Sequence, residues 1–282
     1  MVAESRHDGP PNVGDFSSQF SHEPVLLDEA LHYITPHDGG RYIDATFGGG
    51  GHSRAILEQS APSGRLLALD ADPDAISRAA RLAERFPGRL QTAQGNFRDI
   101  ARMATEHNFA PVDGILMDLG LSSYQLDQPE RGFAFRFAAP LDMRFDRQQG
   151  PSAAEIVNSW DEVDLSRVIF EFGEESRSRA IARAIVAERS KQSITTTDRL
   201  AGIVERAVGG RRGRAIHPAT RTFQALRIAV NDELQALREG LNGAVELLAD
   251  GGRLVVISFH SLEDRIVKNF FRDEATDCIC PP

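Results

Sequence analysis

Asp44-Ala45-Thr46-Phe47-Gly48-Gly49-Gly50-Gly51-His52-Ser53 lies between an apolar run and a helical one. Arg41-Tyr42-Ile43-Asp44-Ala45-Thr46 reads as a strand, and His52 to Gln59 has the spacing of a helix. Consecutive glycines at such a junction let the backbone turn tightly and approach a ligand closely, with helix N–H groups facing it. A tight turn without a ligand is the alternative. A P-loop is excluded, because no Gly-Lys-Ser or Gly-Lys-Thr follows. Gly48, Gly50 and Gly51 can be forced toward a dinucleotide fingerprint, and Asp70 lies about twenty residues on, where an acid that accepts from ribose hydroxyls belongs. Such an acid suits the nucleoside of NAD and that of S-adenosylmethionine equally; helix capping beside Asp72-Pro73-Asp74 is its other reading.

Beyond the loop, strands and helices alternate as in a parallel sheet with crossover helices. Strands are expected at Arg65 to Leu69, Leu90 to Thr92, Gly114 to Met117 and Arg253 to Phe259, and helices at His52 to Gln59, Asp74 to Arg85 and Arg221 to Leu248. The runs Leu66-Leu67-Ala68-Leu69, Ile115-Leu116-Met117 and Leu254-Val255-Val256-Ile257 are continuously apolar, as strands covered on both faces are. The alternation stops after Asp118 and resumes near Arg221. Between them, Ser152 to Val208 is helical by periodicity, which marks an inserted domain. The domains expected are a polar tail at residues 1–21, a core at 22–125 and 217–282, and a helical insert at 126–216.

The 282 residues carry a net charge of −9, unevenly spread. From Arg177 to Arg227 there are twelve Lys and Arg against three acids, so this segment is +9 and the rest −18. A local basic segment in an acidic chain can steer a polyanion to one face, although a solvated helix face reads the same way. No apolar run is long enough to span a bilayer and no secretory signal opens the chain, so a cytoplasmic protein is expected. Cys278 and Cys280 alone complete neither a disulfide framework nor a zinc site, and no metal is expected.

Asp44 weighs against a pyrophosphate, since an anion facing another anion is unfavourable, whereas S-adenosylmethionine offers a sulfonium and an amino group. The fourth strand delivers Asp118-Leu119-Gly120-Leu121-Ser122-Ser123 to the carboxyl edge, where ligands of open α/β sheets bind. Methyl transfer therefore fits better than hydride transfer. A noncatalytic RNA-binding scaffold would keep the basic face and tolerate loss of Asp44 or Asp118.

Seven blocks carry a resemblance: His22-Glu23-Pro24-Val25-Leu26-Leu27; Asp44 to Ser53; Asp118 to Ser123 with Gln125-Leu126-Asp127; Glu130-Arg131-Gly132-Phe133; Pro140-Leu141-Asp142-Met143-Arg144; His217 to Arg227; and Ser258-Phe259-His260-Ser261-Leu262-Glu263-Asp264-Arg265. From residue 22 onward the chain resembles the bacterial small-subunit ribosomal RNA cytosine-N4 methyltransferase family. The resemblance implies an α/β class I Rossmann-like methyltransferase core with an inserted helical domain. Its cofactor would be S-adenosyl-L-methionine, and its partner a cytidine in the decoding region of 16S ribosomal RNA or the small ribosomal subunit. Neither membrane nor metal is implied; oligomeric state, a dimer included, stays open. It also implies a basic tail beyond Pro282.

Residue by residue, the resemblance implies cofactor contacts at Gly50, Gly51, His52, Asp70, Phe97, Asp118 and Gln125, with Asp44 beside them on charge grounds. Phe97 is suited to cover the adenine or to fill a core. The exocyclic amine of cytosine is a poor nucleophile, and an acceptor on N4–H helps it. Asp118 or the Leu119 carbonyl is the candidate. Other amino-methyltransferases carry an aromatic after the fourth strand, in an Asp-Pro-Pro-Tyr type motif, and Asp118-Leu119-Gly120-Leu121 does not. The stacking ring is therefore expected from Phe133, Phe135 or Phe137. Phosphate contacts are expected from Arg221 and Arg227, with Arg211, Arg212 and Arg214, and Arg144 is a further substrate-binding candidate. His260 lines the substrate side or is a buried structural histidine.

Overall fold

The computed structural model describes residues 24–210 and 216–276; His22, Glu23, Arg211, Arg212, Arg214, Cys278, Cys280 and the expected tail at 1–21 lie outside them. The first half runs α1 (Leu27–Ile34), β1 (Arg41–Asp44), α2 (Gly51–Gln59), β2 (Arg65–Asp70), α3 (Pro73–Ala83), β3 (Leu90–Gln94), α4 (Ile100–Glu106), β4 (Val112–Asp118) and α5 (Ser123–Asp127). Then come α6 (Ala153–Ser159), α7 (Glu162–Glu171), α8 (Ser178–Arg189), α9 (Thr197–Ala207), α10 (Thr220–Asn231), α11 (Glu233–Leu247), β5 (Leu248–Ile257) and α12 (Ser261–Glu274). The five strands form one parallel sheet in the order β3-β2-β1-β4-β5. The chain winds outward one way through β2 and β3, then crosses to β4. The switch point between β1 and β4 opens a crevice at their carboxyl ends.

Consecutive strand residues feed opposite layers, which is why the runs are continuously apolar. Ile43, Leu67, Leu69, Ile115 and Met117 pack under α4, α11 and α12. Tyr42, Leu66, Ala68 and Leu116 pack under α1, α2 and α3. Asp72 caps α3 by accepting from Asp74 N, with Pro73 in the first turn.

A third core contains no strand residue, and in it Ile156, Leu165, Ile181, Ile185, Leu200 and Val204 of the helices are buried together. It extends past the expected boundary at 216, because Ala219, Phe223 and Leu226 of α10 are buried in it too. The single helix expected from Arg221 to Leu248 is two. Asp232 adopts a left-handed conformation (φ 49°) between α10 and α11, and its carboxylate and carbonyl accept from Arg98 Nη2 at 2.8 and 3.2 Å. Aspartate tolerates that conformation better than most residues. The break lets α10 join the helical core while α11 lies on the sheet. Apolar spacing continues across it, so periodicity alone does not show it. Helices α4 and α12 were not anticipated, and β5 begins at Leu248 rather than Arg253. No described helix is long and apolar enough to cross a membrane.

Candidate active site

Asp44 ends β1 almost wholly buried, its Oδ2 accepting from Ser53 Oγ at 2.6 Å and its Oδ1 from Thr46 N at 3.1 Å. It ties the loop to the first turn of α2 from beneath. Burial pushes its pKa up. The expectation that Asp44 faces a cofactor is corrected: both its oxygens are engaged within the loop, and its neighbours from Ala45 to His52 line the cavity above it. Gly50 has φ +79°, and a Cβ there would lie 2.4 Å from the Phe47 ring, so the loop passes too close to Phe47 for any side chain. The loop is also held by Gly48 N donating to Asp70 Oδ2 at 2.8 Å, and by Arg78 Nε donating to Gly48 O at 3.2 Å.

Above the loop is a cavity of about 580 Å³, whose lining includes Gly48 to His52, Asp70, Asn96, Phe97 and Gln125. That volume falls in the range of small-molecule sites. Asp70 accepts from the backbone N–H of Gly48 and Asp72, and burial pushes its pKa up to about 6 despite these bonds. Phe97 packs on Gly240 of α11, where a Cβ would come within 2.6 Å of the ring, so it is wedged into the core edge and also lines the cavity. Gln125 completes a capping box with Ser122, and its Nε2 donates to Asp72 Oδ2 at 3.0 Å.

At the end of β4, Asp118 N donates to Thr46 Oγ1 at 2.6 Å, which locks the two switch-point strands together. Its Oδ2 lies 3.6 Å from His52 Nδ1, and its buried Oδ1 has no hydrogen-bond partner. Burial first, then the charges of Asp44 and Glu263, push the Asp118 pKa up to about 7. His52, whose Nε2 lies 3.1 Å from Val25 O, has its pKa pushed down by burial. The carbonyl can only accept, so Nε2 carries a proton there.

The residues expected to hold a substrate are scattered. Phe133 is 7% exposed and packs in the helical core, 5.7 Å from the Phe145 ring, which corrects its assignment as a stacking surface. Phe135 lies between His217 and Phe223 in the same core, and Phe137 is exposed beneath Arg136. Arg144 forks onto Asp142 through Nε and Nη2 at 2.8 and 3.0 Å. The exposed Arg221 donates to Glu174 O. Arg227 is not a phosphate contact: with only 12% of its side chain exposed, it forks onto Glu233 at 2.7 Å through both nitrogens. The turn at Asp232 folds Glu233 back onto it, a pairing that sequence distance hides. His260 caps α12, its Nε2 3.1 Å from Glu263 Oε1 but not aligned for a hydrogen bond.

Much of the basic segment is structural. Arg189 donates to the carbonyls of Val157 and Trp160 at the end of α6, and Arg199 to those of Gln192 and Ser193.

Three features of the site were not anticipated. Phe259 lines the cavity while 54% exposed. Asn231 takes Phe145 N on its Oδ1 and donates to Met143 O, both at 2.8 Å. Arg131, 3% exposed, donates to Asp72 Oδ2 at 2.7 Å and to the carbonyls of Arg144 and Phe145. The sequence signal for Arg131 was its place in the Glu130 to Phe133 block, beside which it received no role.

The chain is 65% identical over 262 residues to Ribosomal RNA small subunit methyltransferase H of Thermomicrobium roseum, covering 93% of this chain and 80% of that one. It is 54% identical over 263 residues to the protein of the same name from a Dehalococcoides mccartyi strain, covering 93% and 74%. Among solved structures, a SAM dependent methyltransferase from Aquifex aeolicus aligns with a TM-score of 0.28 and 14% identity, over 54% of this chain and 85% of that one. The model of the MraW methylase family matches residues 19–282, which take in every strand and helix described above, and the chain belongs to that family.

Proposed function

We propose that this chain moves the methyl group of S-adenosylmethionine to the exocyclic N4 of a cytidine in small-subunit ribosomal RNA. The observation that carries the reading is one cavity in which the glycine loop, Asp70 and Asp118 meet at the switch point. Family membership and the relatives' names supply methyl transfer and the RNA class. Regiochemistry comes from the motif resemblance.

The residues fit the cofactor. The loop passes so close to Phe47 at Gly50 that the cradle is glycine-only, the Asp70 carboxylate lines the same cavity, and a buried carboxylate oxygen lacks the donor or cation that would offset its burial. Gly48 to Gly51, Asp70, Phe97 and Gln125 would hold it, with His52 at the start of α2. When bound, it supplies an electrophilic methyl group on a cationic sulfur. Asp118 then accepts from N4–H, drawing the amine lone pair out of the ring as the amine attacks, and takes up the proton that N4 sheds. No metal enters this chemistry, and the reading places the protein in the cytoplasm with its RNA.

Titration calorimetry with S-adenosylmethionine and, separately, NADH tests the cofactor. The methyl donor alone should bind, and Asp70→Ala should weaken it tenfold or more, because it removes the ribose acceptor and frees Gly48 N. Preference for NADH would overturn the reading.

Affinity should also depend on pH. A bound cation favours ionised Asp118, so with a free-protein pKa of about 7 the cofactor should bind about tenfold more weakly at pH 6 than at pH 8. Proton release should accompany binding at the lower pH. An affinity flat from pH 6 to 8 would show that Asp118 does not face the cation.

A further inference from the structure

None of the expected stacking rings lines the cavity, yet an amine on a flat base needs a surface that fixes its plane. The structure supplies one beside Asp118. The cavity is also walled by Asp118 to Leu121, Phe145, Asn231, Glu233, Phe259 and Glu263. Most polar groups among these are already engaged. Glu233 holds Arg227, Glu263 accepts from Phe259 N at 2.9 Å, and Asn231 pins the Met143 to Phe145 segment.

The aromatics can be counted off in the same way. Phe47 packs against Gly50, Phe97 against Gly240 and Phe145 against Phe133, while Tyr124 carries the Arg78 guanidinium 4.5 Å from its ring centre. Phe259 remains. It lies two residues beyond the end of β5, lines the cavity and is 54% exposed. One side of its ring rests on Gly120, where a Cβ would lie 3.2 Å from Cδ2. Gly120 has φ +100°, which L side chains rarely adopt, so the backbone stays bare under the ring. Gly120 is two residues from Asp118, which lines the same cavity.

We propose that Phe259 is the surface on which the target base stacks, held from behind by Gly120, with the exocyclic amine directed at Asp118. The aromatic that other amino-methyltransferases place after the fourth strand is supplied here from the end of the fifth. The assignment rests on the functional reading above.

The test compares Phe259→Leu and Phe259→Trp with the wild type in methyl transfer to small ribosomal subunits from cells lacking this activity. S-adenosylmethionine affinity and thermal unfolding are measured alongside. Base stacking predicts that the leucine variant loses about ten- to hundredfold in kcat/KM for the subunit, with cofactor affinity within twofold of wild type and unfolding unchanged. The tryptophan variant should keep at least a third of wild-type activity. Leucine activity within twofold of wild type would overturn the assignment while leaving the function intact, as would equal failure of both variants or a parallel loss of cofactor affinity. A wild-type protein that transfers nothing to the subunit would overturn the functional reading itself and the assignment with it.

Discussion

Asp118→Asn is expected to lower methyl transfer about a hundredfold or more and, in the same protein, to raise the melting temperature of the cofactor-free form at pH 8. The two effects have one cause. The Asp118 carboxyl is largely buried, one oxygen has no partner, and its pKa is pushed up to about 7. A group whose folded pKa exceeds its unfolded value binds more protons when folded, so it contributes stability below about pH 4 that is lost as pH rises to about 7. Above that, the ionised group is a standing cost. Asparagine removes the charge, and the variant should gain about 1–3 kcal/mol at pH 8 and nothing near pH 4. Activity falls because the amide lacks the charge that draws the amine proton and cannot take it up. Thermal unfolding across this pH range, set beside single-turnover transfer, checks both. An active Asn variant with unchanged stability would remove Asp118 from the chemistry.

The largest loss of stability should come from Arg131→Met, at about 3–5 kcal/mol. Arg131 and Asp72 are 3% and 1% exposed, and their 2.7 Å contact joins the segment leading into the insert to the cap of α3. Removing the guanidinium leaves a buried carboxylate with Gln125 as its remaining side-chain donor. It also frees the carbonyls of Arg144 and Phe145, loosening a wall of the cavity. Asp72→Asn keeps a good N-cap while removing the charge, so the double variant should recover part of the loss. Denaturant unfolding of the four proteins of the cycle measures the coupling, expected above about 1.5 kcal/mol. Additive losses would mean that the pair does not act as a unit. Exposed pairs such as Arg136–Asp127 should cost less than about 1 kcal/mol when broken.

The sheet was readable because strands buried on both faces leave continuous apolar runs, and the glycine loop because no other strand-to-helix junction in the chain carries four glycines in a row. Asp70, Asp118 and Gln125 line the cavity because strand ends and the loop after β4 fix their places in space. What stayed hidden depends on tertiary pairing. Arg227 looked like a free cation until the bend at Asp232 brought Glu233 onto it. Phe133 and Arg131 lie two residues apart in one motif, yet one fills the helical core and the other grips Asp72, which their surroundings in sequence do not show. Phe259 looked like the last residue of a strand, and its exposure arises only because β5 ends before it, against Gly120.

The most direct measurement is nucleoside mass spectrometry of small-subunit ribosomal RNA after incubating unmethylated particles with this protein and S-adenosylmethionine bearing an isotopically labelled methyl group. The account predicts label as N4-methylcytidine at a single position, appearing about a hundredfold or more slowly with Asp118→Asn. Label on a ring carbon, or none under conditions where the cofactor binds, would contradict it.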